Sequence, residues 1–486
     1  MPYGSSVMPA VAAAVAADPS VCAPLPVLGR DVAVPLVTGG EVTYAALDQA
    51  ASAPALQRVW DDVAAYAPYY GSVHRGAGYL SQLSTDLFEN ARRTVAEFLD
   101  CRIEDSPGEA RSGKGGGGRR EGDQLVFTRS TTDSLNLLAA ALPDGCEVFV
   151  FETEHHAALL PWQRAGRVTF LDAPDSPAQA VATLERALAA RDPHGPALVC
   201  VTGASNVTGE LWPVRELAAA AHAHGARIVL DAAQLAPHRA VSVRELDVDW
   251  VAFSGHKLYA PFGSGVLAGR ADWLRDAEPY LAGGGASRTV TRRADGGVDV
   301  RWHETAARHE AGSPNVIGAY AIASACKALT EAGFDALAAR EEALVRAVRD
   351  GLADVPEVRF LSLFGDDAPR VGVLSFVVDG WNSSHFAAAL SAEYGIGVRD
   401  GLFCAHPLVR RLLGGDAGGA GECGAPEAGA LNAIRVSVGV GTPEEHVARF
   451  VRAVRELVRD GARWSYRTVD GRCVPDTSGQ VGPSGV

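Results

Sequence analysis

Lys257 closes the run Phe253-Ser254-Gly255-His256-Lys257, directly behind a short apolar stretch, and Asp231 closes another, Ile228-Val229-Leu230. An amine in a compact, Gly-containing turn after a buried strand is partly desolvated, so some of it is neutral and attacks carbonyl carbon. A carboxylate at a second strand end suits a pyridine nitrogen; it keeps that nitrogen protonated and makes the ring an electron sink. Gln234 follows Asp231 by one turn, and Glu154-His155-His156 follows an earlier strand-like run. Ser130-Thr131-Thr132-Asp133 opens a helical stretch, where backbone N–H groups and hydroxyls suit a phosphate. His155 suits a position over a flat ring. Each feature has a plain alternative: a helix-capping Thr or Asp, a solvated lysine, a packed histidine. Taken together, on successive strand ends, they match the needs of pyridoxal 5′-phosphate (PLP), with Lys257 as its Schiff-base lysine.

The elements that position these residues alternate. Strand-like runs at 124–128, 147–151, 168–171, 197–202, 227–230 and 250–253 are separated by helical patterns such as 134–141, 179–190 and 214–224. Such alternation predicts an α/β fold with a mainly parallel sheet covered on both faces, and ligands at the carboxyl ends of its strands. Helical patterns at 56–67 and 83–99 precede it. After Ser313-Pro314-Asn315 a long helical region, 316–350, leads to a strand at 371–378, a helix at 384–394 and a strand at 434–438. The expected organisation is an N-terminal arm (1–46), a large PLP-binding α/β domain (47–315), a smaller C-terminal α+β domain (316–465) and a flexible tail (466–486). Gly-rich insertions are expected at 106–122 and 414–429. The first contains Ser112-Gly113-Lys114-Gly115, which is not a phosphate loop, because Gly115 stands where Ser or Thr is needed and no strand precedes it.

Composition excludes several classes. A net charge of −14 leaves no basic field for nucleic acid. No apolar run is long enough to span a bilayer, and the apolar stretch 7–17 lacks a basic flank, so a cytoplasmic protein is expected. The eight cysteines include no C-x-x-C pair, and the imidazoles of His222 and His224 diverge on a helix, so no metal site is expected.

Six segments carry a resemblance: Leu47-Asp48-Gln49-Ala50-Ala51-Ser52, Val73-His74-Arg75-Gly76, Glu154-His155-His156-Ala157, Ser205-Asn206-Val207-Thr208-Gly209, Ser254-Gly255-His256-Lys257-Leu258-Tyr259 and Glu310-Ala311-Gly312-Ser313-Pro314-Asn315. With Asp231-Ala232-Ala233-Gln234, they make the chain resemble the class V (fold type I) PLP-dependent aminotransferases, above all the Suf-type cysteine desulfurases and selenocysteine lyases. The likeness runs from Leu47 to Arg455. It implies Lys257 as Schiff-base lysine, Asp231 as pyridinium partner, Gln234 as donor to the phenolic oxygen and His155 stacked on the ring. Thr132, Ser254 and His256 resemble phosphate ligands, beside Thr131 at the same helix start, and Ser313 resembles one supplied to the other subunit of a homodimer. Asn206 and Arg435 resemble the groups that bind a substrate carboxylate, with Arg399 assisting and Asn206 also beside the cofactor.

Cys404, in Ile396-Gly397-Val398-Arg399-Asp400-Gly401-Leu402-Phe403-Cys404, falls where desulfurases carry their nucleophile. The resemblance implies removal of sulfur from L-cysteine to give L-alanine and a Cys404 persulfide, then transfer to a sulfur-acceptor protein. Suf-type members have two histidines before that cysteine, where this chain has Leu402-Phe403, and Asp400 places a negative charge nearby. The alternative is a packed Cys404 in an enzyme of other class V chemistry: a C–S or C–Se lyase, an epimerase or an aminotransferase.

Overall fold

The computed structural model describes residues 22–74, 76–103, 122–164, 166–414 and 432–476; Arg75, both Gly-rich insertions over 104–121 and 415–431, and the last ten residues of the expected tail lie outside them. The chain divides into two compact units. The larger comprises Ser52–Ser205 and Leu211–Phe334. The other comprises the chain through Ala51, the short segment Asn206–Glu210 and everything from Asp335 onward.

The larger unit is built on a seven-stranded sheet, in the order Asp123–Thr128, Gly265–Arg270, Trp250–Ser254, Arg227–Asp231, Ala197–Thr202, Glu147–Phe151 and Arg167–Leu171. From Trp250–Ser254 to Arg167–Leu171 all neighbours are parallel. Gly265–Arg270 runs antiparallel to both of its neighbours. This strand escaped the sequence reading because its Gly-Val-Leu-Ala-Gly-Arg pattern carries little β-branching and is flanked by Gly. The central strands are apolar at almost every position because a covered sheet buries both faces. Helices Thr131–Ala140, Pro177–Ala189 and Val214–Ala223 start close to their expected positions. Leu135, Leu138, Trp162 and Trp250 meet in one core cluster.

The expected long helix is two. Val316–Ala332 ends at Gly333, whose φ of 82° suits a residue without a Cβ, and Phe334–Leu352 begins a second helix. The first packs against Tyr79–Phe98 and Gln57–Tyr66 and therefore belongs to the larger unit.

The smaller unit contains a four-stranded antiparallel sheet, ordered Val358–Phe360, Val373–Val378, Ala433–Ser437 and Arg399–Gly401. Helix Glu444–Asp460 covers it with Val447, Phe450, Val451, Val454 and Leu457, the spacing of a single helical face. The expected arm is partly ordered by pairing: Ala33–Pro35 with Glu41–Thr43, and Ala45–Ala46 with Ile396–Gly397. The expected loose tail forms, as far as it is described, the hairpin Tyr466–Val469 and Arg472–Pro475. The Tyr466 hydroxyl, with the backbone N–H groups of Arg463 and Trp464, donates to the buried Glu393 carboxylate. No described helix is long and apolar enough to cross a membrane.

One buried ion pair ties the motif Glu310–Asn315 to the sheet. Arg92 donates to both Glu310 oxygens at 2.8 Å, and Phe127 N–H donates to Oε1 at 2.7 Å. Arg92 has a second anionic partner, since its Nε donates to Glu89 at 2.9 Å, so losing Glu310 weakens the compensation of a buried charge without abolishing it. Glu310→Ala, which also unpairs the Phe127 N–H, is expected to cost about 1–3 kcal/mol in urea unfolding; a loss within experimental error would mean that Glu89 compensates Arg92 by itself.

Candidate active site

The polar groups of the larger unit collect where its parallel strands end. Asp231 is the last residue of its strand and only 4% exposed. Its Oδ1 accepts the Ala233 N–H at 2.9 Å, and the residues that follow form turns rather than a helix, so it is not a helix cap. Burial raises its pKa, opposed by the Ala233 hydrogen bond and the positive charge of Lys257. Lys257 is half-buried in the turn after Trp250–Ser254. That turn is tight. A Cβ on Gly255 would come within 2.9 Å of the Ala260 carbonyl oxygen, and Tyr259, fully enclosed, takes a φ of 60°. Gln234 is buried one turn beyond Asp231.

Thr131–Ala140 begins with Ser130 as its capping residue, whose hydroxyl accepts the Asp133 N–H. Thr131 is buried, and its N–H and hydroxyl both meet Ser254 Oγ, at 2.7 and 2.8 Å. Thr132 is exposed on the same first turn. His155 caps the short helix His156–Leu159 by accepting the Ala157 N–H on Nδ1 at 3.0 Å. That bond requires a lone pair, so the ring proton of a neutral His155 sits on Nε2. His256 is half-buried, with Nδ1 3.3 Å from Ser52 Oγ; burial and then Lys257 lower its pKa. Ser313 is exposed in the loop before Val316–Ala332.

The residues expected to bind substrate lie in the smaller unit. Arg435 is on Ala433–Ser437, 3% exposed. It donates to the Asn206 carbonyl at 3.1 Å and to Asp48 Oδ1 at 3.0 Å, and its guanidinium lies 5.1 Å from the Phe403 ring centre. Burial lowers its pKa, while Asp48 opposes the fall. The Asn206 amide donates to the Phe403 carbonyl at 2.8 Å. Arg399 is exposed and directly opposite Arg435 on the neighbouring strand.

Cys404 is exposed, whereas Leu402, Phe403 and Ala405 are buried. Phe403 and Cys404 both adopt left-handed backbone, with φ of 51° and 53°. Two adjacent non-glycine residues in that region are strained, at about 1–3 kcal/mol each, and persist only where surrounding contacts hold them. Asp400 accepts a hydrogen bond from Ser384 Oγ. His222 is bound by Asp247 and Asp249, at 3.2 and 2.9 Å, and the described residues contain no cluster suited to a metal ion.

Comparison with known proteins gives the family. The aminotransferase class-V family model matches residues 45–106 and 118–450. The chain belongs to the class-V aminotransferase family. A probable cysteine desulfurase of Halobacterium salinarum is 37% identical over 397 residues, covering 80% of this chain and 88% of its own. A cysteine desulfurase of Salmonella typhimurium is 33% identical over 394 residues, covering 80% and 89%. The apo structure of a cysteine desulfurase from Thermococcus onnurineus NA1 superposes with a TM-score of 0.71 at 30% identity, over 86% of this chain and 95% of that one. The class-V aminotransferase family is PLP-dependent, and the large, mainly parallel sheet is that of its fold.

Two residues of this class-V chain had no role in the sequence reading. Asp48 was part of a quoted motif only. Glu154 precedes His155 and is completely buried; Oε1 accepts the Thr202 N–H at 2.9 Å, while Oε2 has no partner among the described residues. Burial, reinforced by the nearby charge of Asp231, pushes its pKa well above 4.5. Its place shortly behind a strand that is apolar from Val148 to Phe151 was the available signal.

A carboxyl whose pKa is raised on folding binds a proton as the chain folds, so stability falls as pH rises above the unfolded value of 4.5 toward the raised one. Glu154→Gln keeps the shape and removes that penalty. Melting temperatures from pH 5 to pH 9 are expected to be higher for the variant, with the gap widening as pH rises; parallel curves would mean that Glu154 is ionised in the fold.

Proposed function

We propose that this class-V enzyme is a PLP-dependent cysteine desulfurase that holds its cofactor on Lys257 and takes sulfur from L-cysteine onto Cys404. The donor set of the larger unit fits the cofactor. Thr132 stands exposed on the first turn of a helix, and neither its N–H nor its hydroxyl donates to any described residue, an arrangement suited to a phosphate. Ser254, Thr131 and His256 supply further polar groups from adjoining turns. A buried carboxylate that feels the charge of Lys257 suits a protonated pyridine nitrogen. Gln234 suits the phenolic oxygen and His155 the ring face.

When bound, PLP supplies the electron sink that makes the substrate α-proton acidic. Asp231 keeps the far end of that sink positive, and Lys257 Nζ carries the α-proton. Arg435 receives the substrate carboxylate through its planar fork, with Arg399 adding positive charge beside it. Asn206 contributes by holding the Phe403 carbonyl and bracing Arg435 with its own. The Cys404 thiolate attacks the substrate sulfur. An S–S bond forms as the substrate Cβ–S bond breaks; its electron pair returns to the carbon skeleton, which takes up a proton and leaves as L-alanine. The persulfide on Cys404 then passes its outer sulfur to an acceptor protein. Exposed Ser313 supports a homodimer in which it reaches the other subunit's phosphate.

The observation that carries this reading is the exposure of Cys404 at a strained backbone position, within the field of Arg435, amid neighbours that are all buried. A thiol that served only packing would lie inside, as Cys146, Cys200 and Cys326 do. Cys404→Ala is expected to keep the visible band of bound cofactor and to lose alanine formation from L-cysteine by on the order of a hundredfold or more. Undiminished alanine formation would transfer the enzyme to another class-V chemistry, and a band surviving Lys257→Ala would remove the lysine assignment.

A further inference from the structure

Arg435 and Arg399 occupy directly paired positions on antiparallel strands of the smaller unit. Like charges at such positions repel, and one of these side chains is buried. The chain supplies a counter-ion. Asp48 Oδ1 accepts from Arg435 Nη2 at 3.0 Å, and the charges of Arg435 and Arg399 both act on it. Burial raises the Asp48 pKa; the two arginines pull it back and Asp400 adds to the rise.

Asp48 is held there by its backbone. It bridges to Ser437, on the same strand as Arg435 and, two residues along, on the same face. Ser437 N–H donates to the Leu47 carbonyl at 2.7 Å, and Ala50 N–H donates to Ser437 Oγ at 2.9 Å. The carboxylate is less confined than the backbone, with 28% of the Asp48 side chain exposed against 4% of Arg435.

Arg435 is incompletely satisfied. Nη1 serves the Asn206 carbonyl, Nη2 serves Asp48, and Nε is buried with no partner among the described residues. The edge formed by Nε and Nη2 is one of the forks that grip a carboxylate with two parallel bonds. A second carboxylate arriving there meets the charge of Asp48 at close range, and two like charges in a buried site do not both stay ionised and in place.

We propose that Asp48 is an internal counter-ion which the incoming amino acid's carboxylate displaces from Arg435, so that this exchange sets the affinity for substrate. The proposal rests on the reading of Arg435 as the carboxylate receptor. Asp48 acts through Arg435 and is a positioning residue. It balances the charge of a buried guanidinium and aims it while no substrate is present, at the expense of binding strength.

The test is a double-mutant cycle on the cofactor-loaded enzyme, with KM and kcat for L-cysteine measured separately. Asp48→Asn keeps the shape and removes the charge. Its KM is expected to fall about three- to tenfold, the change lying in KM rather than kcat. Asp48→Ser is expected to do the same and serves if the first variant folds poorly. In an Arg435→Met background the Asp48 effect should shrink to within about twofold, because the receptor is gone. A KM that rises or stays level in both Asp48 variants, while Arg435→Met raises it more than tenfold, overturns the exchange and leaves Arg435 as receptor. An unchanged KM in Arg435→Met removes the receptor itself, and the proposal with it.

Discussion

The larger unit is organised around one tension: a carboxyl group is buried inside it, within reach of a lysine's charge. Asp231 is buried at the end of a strand whose other residues are apolar or covered, and burial alone would drive it to the neutral acid. Two features oppose this, the Ala233 N–H in the turn and the positive charge of Lys257. The lysine comes from the next strand over, which pairs with the Asp231 strand in parallel. The parallel register therefore matters to the chemistry. It brings the strand end that carries Asp231 and the turn that carries Lys257 to one edge, and a slip of one residue would turn Asp231 to the other face.

Glu154 shows how narrow the allowance is. It is as deeply buried as Asp231 and close enough to feel its charge, and it too has one backbone donor, but no lysine opposes its rise. Burial raises the pKa of both carboxyls in this apolar region, and only the one with a cationic neighbour is drawn back toward the charged form. Cys200, on the adjacent strand, follows the same logic; burial first, then Glu154 and Asp231, hold its thiol far from ionising. Among the three acidic groups Asp231 alone has a positive charge opposing the rise, which suits the proposed partner of a pyridine nitrogen.

Much of this was legible in the sequence. Glu147–Phe151 and Ala197–Thr202 were read at their observed bounds, because a strand buried on both faces is an apolar run with sharp polar ends. The same polar ends named Asp231, His155 and Lys257. What escaped depends on tertiary pairing. Gly265–Arg270 is a weak strand by composition that becomes one by lying between Asp123–Thr128 and Trp250–Ser254, where a Cβ on Gly269 would come within 2.0 Å of the Asp249 carbonyl oxygen. The hairpin after Arg463 is fixed by Glu393, some seventy residues upstream, and no local pattern announces that contact. Asp48 could be seen as part of a motif, but its meeting with Arg435 spans nearly the whole chain.

The substitution of Leu402-Phe403 for two histidines is the point at which the chain departs most from the Suf-type pattern, and the structure gives Phe403 work of its own. Its carbonyl takes the Asn206 amide, its ring lies against the Arg435 guanidinium, and its side chain is buried. Those contacts offset the left-handed backbone at 403 and 404, which an isolated loop would relax. Relaxation would let the Cys404 side chain turn inward with its apolar neighbours. The aromatic therefore contributes geometry where an imidazole would contribute a proton: it anchors the loop from beneath and leaves the next residue outward. The positive field at that position comes from Arg435, which already serves Asp48 and Asn206. A thiol placed this way needs no neighbouring base to be presented, only a cation held in place beside it, and Asp48 is the ion-pair partner that holds it.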